Sequence, residues 1–269
     1  MHELDNGSVF VTLTYRDAVE CDFDQLYRRK FVPDDWSLNK SHFQKFMKRL
    51  RKSREPDRIR FFAAGEYGRK CKHRIDLDNV GCPLCNVGRP HFHACLFNVS
   101  FADLEAYQTD GNQTRYTSPE LEKIWGYGFV DVGELNFQTA AYTARYCVKK
   151  VTGQKADWWY NTVDMDGVIT FLQPEFVLMS QGIGRGWFEK YFKDVFPSDE
   201  VPVVGKGVIR GVPRYYEDLY KEVFPEAFEE VKRLRQEFRK AHHADYSEQR
   251  LEAAYLRMKH DEKTRKKRN

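Results

Sequence analysis

Residues 88–97, GRPHFHACLF, form a short apolar run held between Gly88 and Pro90 on one side and Asn98 on the other. A run of this length starting just after a proline predicts a buried β-strand. Alternate side chains of a strand share a face, so His91 and His93 point one way while Phe92, Ala94 and Leu96 point the other. Two imidazoles side by side are half of a metal site. A H-x-H pair also arises in packing and on surfaces, so a third ligand and a reactive group must accompany it before it means more.

Working outward, residues 9–15 (VFVTLTY) are β-branched and aromatic and predict a strand that opens the domain. Phe43, Phe46, Met47 and Leu50 recur at helical spacing after Ser41, giving a basic amphipathic helix. A strand is expected over residues 59–64, ending at GEYG, and another over 129–135, preceded by a short helix with Ser118 as cap and Pro119 at its first position. Residues 136–152 predict a helix stopped by Gly153. Strands and helices alternate irregularly, so an α+β domain with a central antiparallel sheet and packed helices is expected, rather than a doubly wound parallel sheet. It would occupy residues 1–200, with a cysteine-containing insert at 69–87. Residues 201–269 form a charged, largely helical appendage with a basic tail.

Bulk composition narrows the class. The 269 residues are 41% hydrophobic, with no apolar run long enough for a membrane span, and the start MHELDNGSVF has neither a basic nor an apolar leader region. Six scattered cysteines fit a reducing compartment rather than a disulfide scaffold, and Cys21, Cys95 and Cys147 read as buried small apolar residues. A net charge of +4 conceals local asymmetry. KRLRKSREPDRIR (48–60) and KHDEKTRKKRN (259–269) are strongly basic, as a phosphate-facing surface or a solvated helix and tail would be.

The reactive group comes from AAYTARYCVKK (140–150). With Tyr142 at zero and about 100° per residue, Tyr146 falls near 40°, Lys149 near 340° and Lys150 near 80°, one polar face. Ala140, Ala141, Ala144, Cys147, Val148 and Val151 fall on the opposite side, so the apolar stripe is expected to pack on the sheet and the tyrosines to turn away from it. Two phenols one turn apart beside a lysine suit nucleophilic attack on phosphorus. A phenol with a pKa near about 10 needs its phenolate stabilised by a nearby ammonium, and a divalent cation makes a bound phosphate more electrophilic.

Glu66, at the end of the strand before the histidines, is the candidate third ligand. A carboxylate with two imidazoles leaves open positions for phosphate oxygens and suits Mg²⁺ or Mn²⁺. The same set could hold Fe(II) in an oxygenase, which would leave the tyrosine face without a role. In the insert, Cys71, His73, Cys82 and Cys85 form C-x-H followed by C-P-L-C, a candidate structural Zn²⁺ site or free thiols in a loop. GIGRGWFEKY (182–191) lacks the G-K-[ST] ending of a nucleotide loop and reads as a glycine turn into a helix, with Arg185 facing DNA backbone. Arg145 and Lys150 are further candidates for DNA contact.

His91-Phe92-His93, VFVTLTY and YTARYCVK together resemble the three motifs of the HUH endonuclease superfamily, most closely the rolling-circle replication initiators of microviruses of the gokushovirus branch. SLNKSHFQKFMKRLRK, FFAAGEYG, YTSPELEKIWGYGFVDVGEL, PEFVLMSQGIGRGWFEKY and VFPSD extend the likeness over most of residues 9–200. The resemblance implies a core like an RNA-recognition motif, in a nuclease that nicks the origin of the replicative form. The enzyme would stay on the 5′ phosphate through tyrosine, leave a 3′ hydroxyl for synthesis, and later rejoin the displaced strand into a circle. By the same resemblance His91, His93 and Glu66 are metal ligands, Tyr142 and Tyr146 nucleophiles, and Lys149 the lysine. Origin DNA and a host helicase are the implied partners, and the cytoplasm of the bacterial host the location. Such relatives carry a cysteine-rich segment ahead of the first strand, which implies a later start codon or an incomplete N-terminus here. A plasmid or transposon member of the superfamily would share the chemistry. The rival of a different class is a zinc-stabilised nucleic-acid-binding module without catalysis.

Overall fold

Val11, Leu13 and Tyr15 are fully buried while Phe10, Thr12 and Thr14 between them are not, so the first strand is amphipathic at period two and gives its sheet two unlike faces. The computed structural model describes residues 7–16, 37–68, 89–111, 113–149, 151, 153–163, 169–203, 207–241 and 247–267. In chain order the elements are β1 (Ser8–Tyr15), α1 (Lys40–Ser53), β2 (Arg60–Tyr67), β3 (Pro90–Phe97), β4 (Glu105–Asp110) and β5 (Gln113–Thr117). Then follow α2 (Pro119–Trp125), β6 (Gly128–Glu134), α3 (Phe137–Lys149), α4 (Gln154–Trp159), β7 (Asn161–Val163), β8 (Ile169–Phe171), β9 (Phe176–Met179) and α5 (Arg185–Val195). The rest is β10 (Glu200–Val203), β11 (Gly207–Arg210), α6 (Arg214–Val223), α7 (Pro225–Ala241) and α8 (Glu248–Lys267).

Seven strands form one sheet in the order β4-β5-β6-β1-β3-β2-β9, and every neighbouring pair is antiparallel. The α+β architecture with a central antiparallel sheet and packed helices is therefore the one the sequence predicts. On one face, Val11, Leu13, Phe92, Ala94, Leu96, Val130 and Val132 meet Phe43, Phe46, Met47 and Leu50 of α1 and Leu121 and Trp125 of α2 in a single hydrophobic cluster. α2 starts as its sequence dictates: the Ser118 hydroxyl accepts from Leu121 N at 3.1 Å, Pro119 takes the first turn, and Gly126 ends the helix at φ 72°. Two residues on, a Cβ at Gly128 would lie 2.3 Å from Thr14 O and Arg16 N, so only glycine lets β6 begin its pairing with β1 there. The opposite face carries Phe10, Thr12, Glu66, His91, His93 and Cys95, and α3 packs mainly over β2, β3 and β9 on that side.

Residues 1–191 with 202–207 make one compact unit, and residues 192–201 with 208–269 make a second. In the second unit α6 and α7 bury Tyr216, Leu219, Phe228 and Val231. The Arg235 guanidinium joins them through Asp199, and through Glu217 at 2.6 Å. Phe196 stacks on Tyr220 at 4.1 Å. On α8, Leu251, Tyr255, Leu256 and Met258 are exposed. No described helix is long and apolar enough to cross a membrane.

Candidate active site

Sheet register assembles the three predicted ligands. β2 runs through Glu66 to Tyr67, past the expected end of the strand at residue 64, so Glu66 is a ladder residue paired with His91, while Ala64 pairs with His93. Period-two alternation then puts Glu66, His91 and His93 on one face. Both histidine Nε2 atoms stand 2.8 Å from the same oxygen, Glu66 Oε1, and one candidate ligand atom from each residue falls within 4.8 Å of the others. Glu66 and His93 are buried, and His91 is partly exposed.

The donor chemistry fits a cation. His91 Nδ1 lies 3.0 Å from the Arg89 carbonyl, an acceptor, so a neutral ring places its single N–H there and turns the Nε2 lone pair toward Glu66. Two lone-pair groups facing each other at 2.8 Å are what a metal ion between ligands resolves. Neighbouring ligands of an octahedral ion at about 2.1 Å would themselves stand about 3 Å apart. His93 is oriented in the same manner, its Nδ1 3.0 Å from Thr12 Oγ1 and its ring stacked on Phe10 at 5.6 Å. Burial opposes the charge of Glu66, but the two imidazoles outweigh it and hold the carboxyl well below the usual carboxylate range. Burial pushes the His93 pKa down, which favours the neutral ring a ligand must be.

Tyr142 and Tyr146 reach this centre, by a route opposite to the one predicted. The expected packing of α3 through its alanine stripe is wrong: Ala144 is exposed, whereas Thr143 and Tyr146 are buried and Tyr142 is partly buried. The stripe that meets the sheet is Thr139, Tyr142, Thr143 and Tyr146, an i, i+3, i+4, i+7 set. Its hydroxyls are matched to a polar sheet face. Tyr142 Oη lies 3.5 Å from His93 Nε2, and the Cys95 thiol approaches Thr143 Oγ1 at 3.7 Å. The Tyr146 ring stacks on His93 at 5.9 Å, and the two tyrosine rings meet edge to face at 5.2 Å. Burial, then the negative charge of Glu66, raises the Tyr142 pKa. The same burial with hydrogen bonds to Glu66 and Tyr142 holds Tyr146 far above the ordinary phenol value. Both are phenols at rest.

Lys149 closes α3, with its side chain outside the described residues, as is Lys150 altogether. Arg145 is exposed on α3, its Nε donating to the Ala141 carbonyl at 3.3 Å. Arg185 opens α5 and donates to Glu189 Oε1 at 2.7 Å, one turn on. Gly153, expected to stop α3, instead precedes α4 as its cap residue at φ 72°. Cys71, His73, Cys82 and Cys85 lie outside the described residues, as do Cys21 and the side chain of Cys147; Cys95 is buried as expected. Sequence reasoning did not find Phe10, Thr12 or the Arg89 carbonyl as supports. The alternation of VFVTLTY carried the signal, since it sets Phe10 and Thr12 on the face away from Val11 and Leu13, but only pairing with β3 gives that face a use.

Two imidazoles and a carboxylate on adjacent antiparallel strands, faced by two phenols from one helix, define a sheet protein with a candidate metal centre against paired tyrosines. The profile of the replication-associated protein ORF2 family matches residues 8–75 and 83–151, about half of the chain and every residue of this centre. The chain belongs to that family. It is 34% identical over 214 residues to the replication-associated protein ORF2 of Spiroplasma virus 4, covering 77% of this chain and 56% of that protein. It is 29% identical over 229 residues to the replication-associated protein VP4 of Bdellovibrio phage phiMH2K, covering 84% and 61%, and 30% identical over 193 residues to the replication-associated protein ORF4 of Chlamydia phage 1, covering 68% and 42%. The chain thus spans less than two thirds of each relative's own length. No solved structure matches it.

Proposed function

We propose that this replication-associated protein is a site-specific single-strand DNA endonuclease and strand transferase that opens the origin of a phage replicative form. The observation that carries the reading is the placement of Tyr142 and Tyr146 against Glu66, His91 and His93, one phenol within 3.5 Å of a ligand nitrogen. In the first step a phenol oxygen forms a bond to the scissile phosphorus, and the bond from phosphorus to the 3′ oxygen breaks. The proton lost by the phenol is balanced by the one the departing 3′ oxygen gains. The DNA is then held by its 5′ phosphate as a tyrosine ester, of energy close to that of the diester consumed, so the step can run backward. The free 3′ hydroxyl primes synthesis, and the second phenol permits a second cut while the first ester persists, which rejoins the displaced strand as a circle.

Glu66, His91 and His93 would hold Mg²⁺ or Mn²⁺, which would polarise the phosphate and offset the Glu66 charge that keeps both phenols protonated. Lys149, one turn past Arg145 on the same helix, is assigned to stabilise the phenolate. The Fe(II) reading has no use for two tyrosines lying against the ligands. Catalysis is assigned to residues 1–200, and backbone contacts to Arg145, Lys150, Arg185 and the basic residues of 201–269. A host helicase in the bacterial cytoplasm would part the duplex ahead of the primed end.

The test is incubation with single-stranded DNA spanning the origin of the replicon that carries the gene, with Mn²⁺ and with or without chelator, followed by peptide mapping. A metal-dependent adduct on Tyr142 or Tyr146 is expected. An adduct at neither, or one indifferent to chelation, overturns the reading.

A further inference from the structure

Beside the triad the sheet face stays open. α3 lies mainly over β2, β3 and β9, while β1, β6 and the β4–β5 hairpin continue past it, and there a groove of about 520 Å³ runs outward from His91. Thr12, Thr14, Arg115, Phe129 and Asp131 line it. His91 belongs to both the groove and the triad, so whatever fills the groove lies next to the reacting centre.

Three features of its wall are unusual for a merely solvated sheet. Phe129 projects from the middle of a strand 58% exposed, on the face opposite buried Val130 and Val132. Tyr107 is 54% exposed and sits where the β4–β5 register slips between Ala106 and Gln108, a bulge of the kind that re-aims a side chain. Burial, then the charge of Asp131, raises the Tyr107 pKa, so this ring stands over the same carboxylate. Asp131 has one carboxylate oxygen 3.7 Å from Arg115 Nη1, but the other, Oδ1, is buried with no hydrogen-bond partner. Large rings left in water beside an acceptor that lacks a donor match one kind of ligand, a flat ring that carries an N–H at its edge.

We infer that this groove is a base-reading subsite, in which one unstacked nucleotide next to the scissile phosphate lies on Phe129 and donates an exocyclic amino hydrogen to Asp131 Oδ1. The inference rests on the nuclease reading and names the part of its substrate that this face selects. Stacking tolerates any base, so Phe129 supplies affinity and Asp131 supplies choice. A carboxylate oxygen accepts from the amino group of cytosine, adenine or guanine. Thymine offers a single N–H between two carbonyl oxygens, both of which a carboxylate repels. Thymine is therefore the base this position refuses. Arg115 holds the second carboxylate oxygen and keeps Oδ1 turned to the groove.

The experiment uses the full chain in chelator, so that no strand is cut, and compares by fluorescence anisotropy the binding of a ten-nucleotide oligo-dC and oligo-dT. The wild type is expected to prefer dC by roughly fivefold or more, the low end of what a base contact discriminates. Asp131→Asn, whose amide keeps the shape but can donate as well as accept, should shrink that ratio toward one, chiefly by improving dT. Phe129→Ala should weaken both oligonucleotides by about tenfold and leave the ratio unchanged, and Phe129→Tyr should restore the loss. An equal affinity for dC and dT in the wild type, or a ratio untouched by Asp131→Asn, overturns the subsite even if tyrosine adducts form. A dC preference that Asp131→Asn removes sustains the subsite even if no adduct forms, in which case only the nuclease reading fails. Absence of binding to either oligonucleotide overturns both.

Discussion

The two faces of the seven-stranded sheet are made by the same strands, often by consecutive residues, and they are built for opposite ends. Toward α1, Phe92, Ala94 and Leu96 of β3 sink into a cluster with Leu13, Phe43 and Phe46. Toward α3, their neighbours His91, His93 and Cys95 meet hydroxyls and a carboxylate. Apolar burial on the first face supplies the stability that allows a buried carboxylate and two displaced phenols to persist on the second. Stability and chemistry are thus separated by a single residue step along the chain.

That separation can be broken or sharpened. The largest effect is expected from Tyr142→Phe/Tyr146→Phe, which should abolish DNA adducts altogether in the peptide-mapping assay while the melting temperature moves by only a few degrees. A residual adduct on another residue would detach the α3 face from the chemistry. Next comes a pair of adjacent positions. Phe92→Ala should lower the unfolding free energy by about 3–5 kcal/mol in urea titration. His91→Ala should change it by far less, yet weaken Mn²⁺ binding in calorimetry by at least about 100-fold, the upper end of what even an outer partner supplies. If His91→Ala unfolds the protein as readily as Phe92→Ala, the division of labour between the faces is lost. Thr12→Val, which removes only the partner of His93 Nδ1, should cost about tenfold in Mn²⁺ affinity with the fold intact. The smallest effect is assigned to Ser118→Ala on the core side of the sheet, about 1 kcal/mol of stability and no change in metal affinity, measured on the same two instruments.

The core face was legible in the sequence because period-two and helical patterns of large apolar residues leave little choice: Val11 and Leu13, Phe92 and Leu96, Phe43 and Leu50 each fall where their spacing puts them. So was the strand of His91 and His93, since Pro90 and Asn98 bound it. The orientation of α3 was not. A stripe of alanines looks like a packing face by polarity, but alanine has little area to bury, whereas two tyrosines bring about 150–250 Å² each. Ring area decided the face, and the polar atoms carried with it found partners in His93, Cys95 and Glu66, which no pattern within the helix announces. Glu66 was found, but as the end of a shorter strand; the continuation of β2 to Tyr67 rests on its pairing with Pro90 of β3, a non-local cause. Asp131 and Phe129 were read only as part of a strand, because exposure and an unmatched acceptor belong to a surface and not to a motif.

Pairing of β2 with β3 continues through Tyr67 opposite Pro90, and beyond it Gly68 N donates to Arg89 O at 3.1 Å. The two strands are therefore clamped together right up to the point where the intervening chain departs. Anything carried between Gly68 and Arg89 hangs from a closed neck whose geometry the ladder sets, and its length enters neither the spacing of Glu66 and His91 nor their alignment. For protein engineering this is a docking port: a fluorescent tag or an affinity module spliced there would ride within reach of the ligands without loosening their grip on one another.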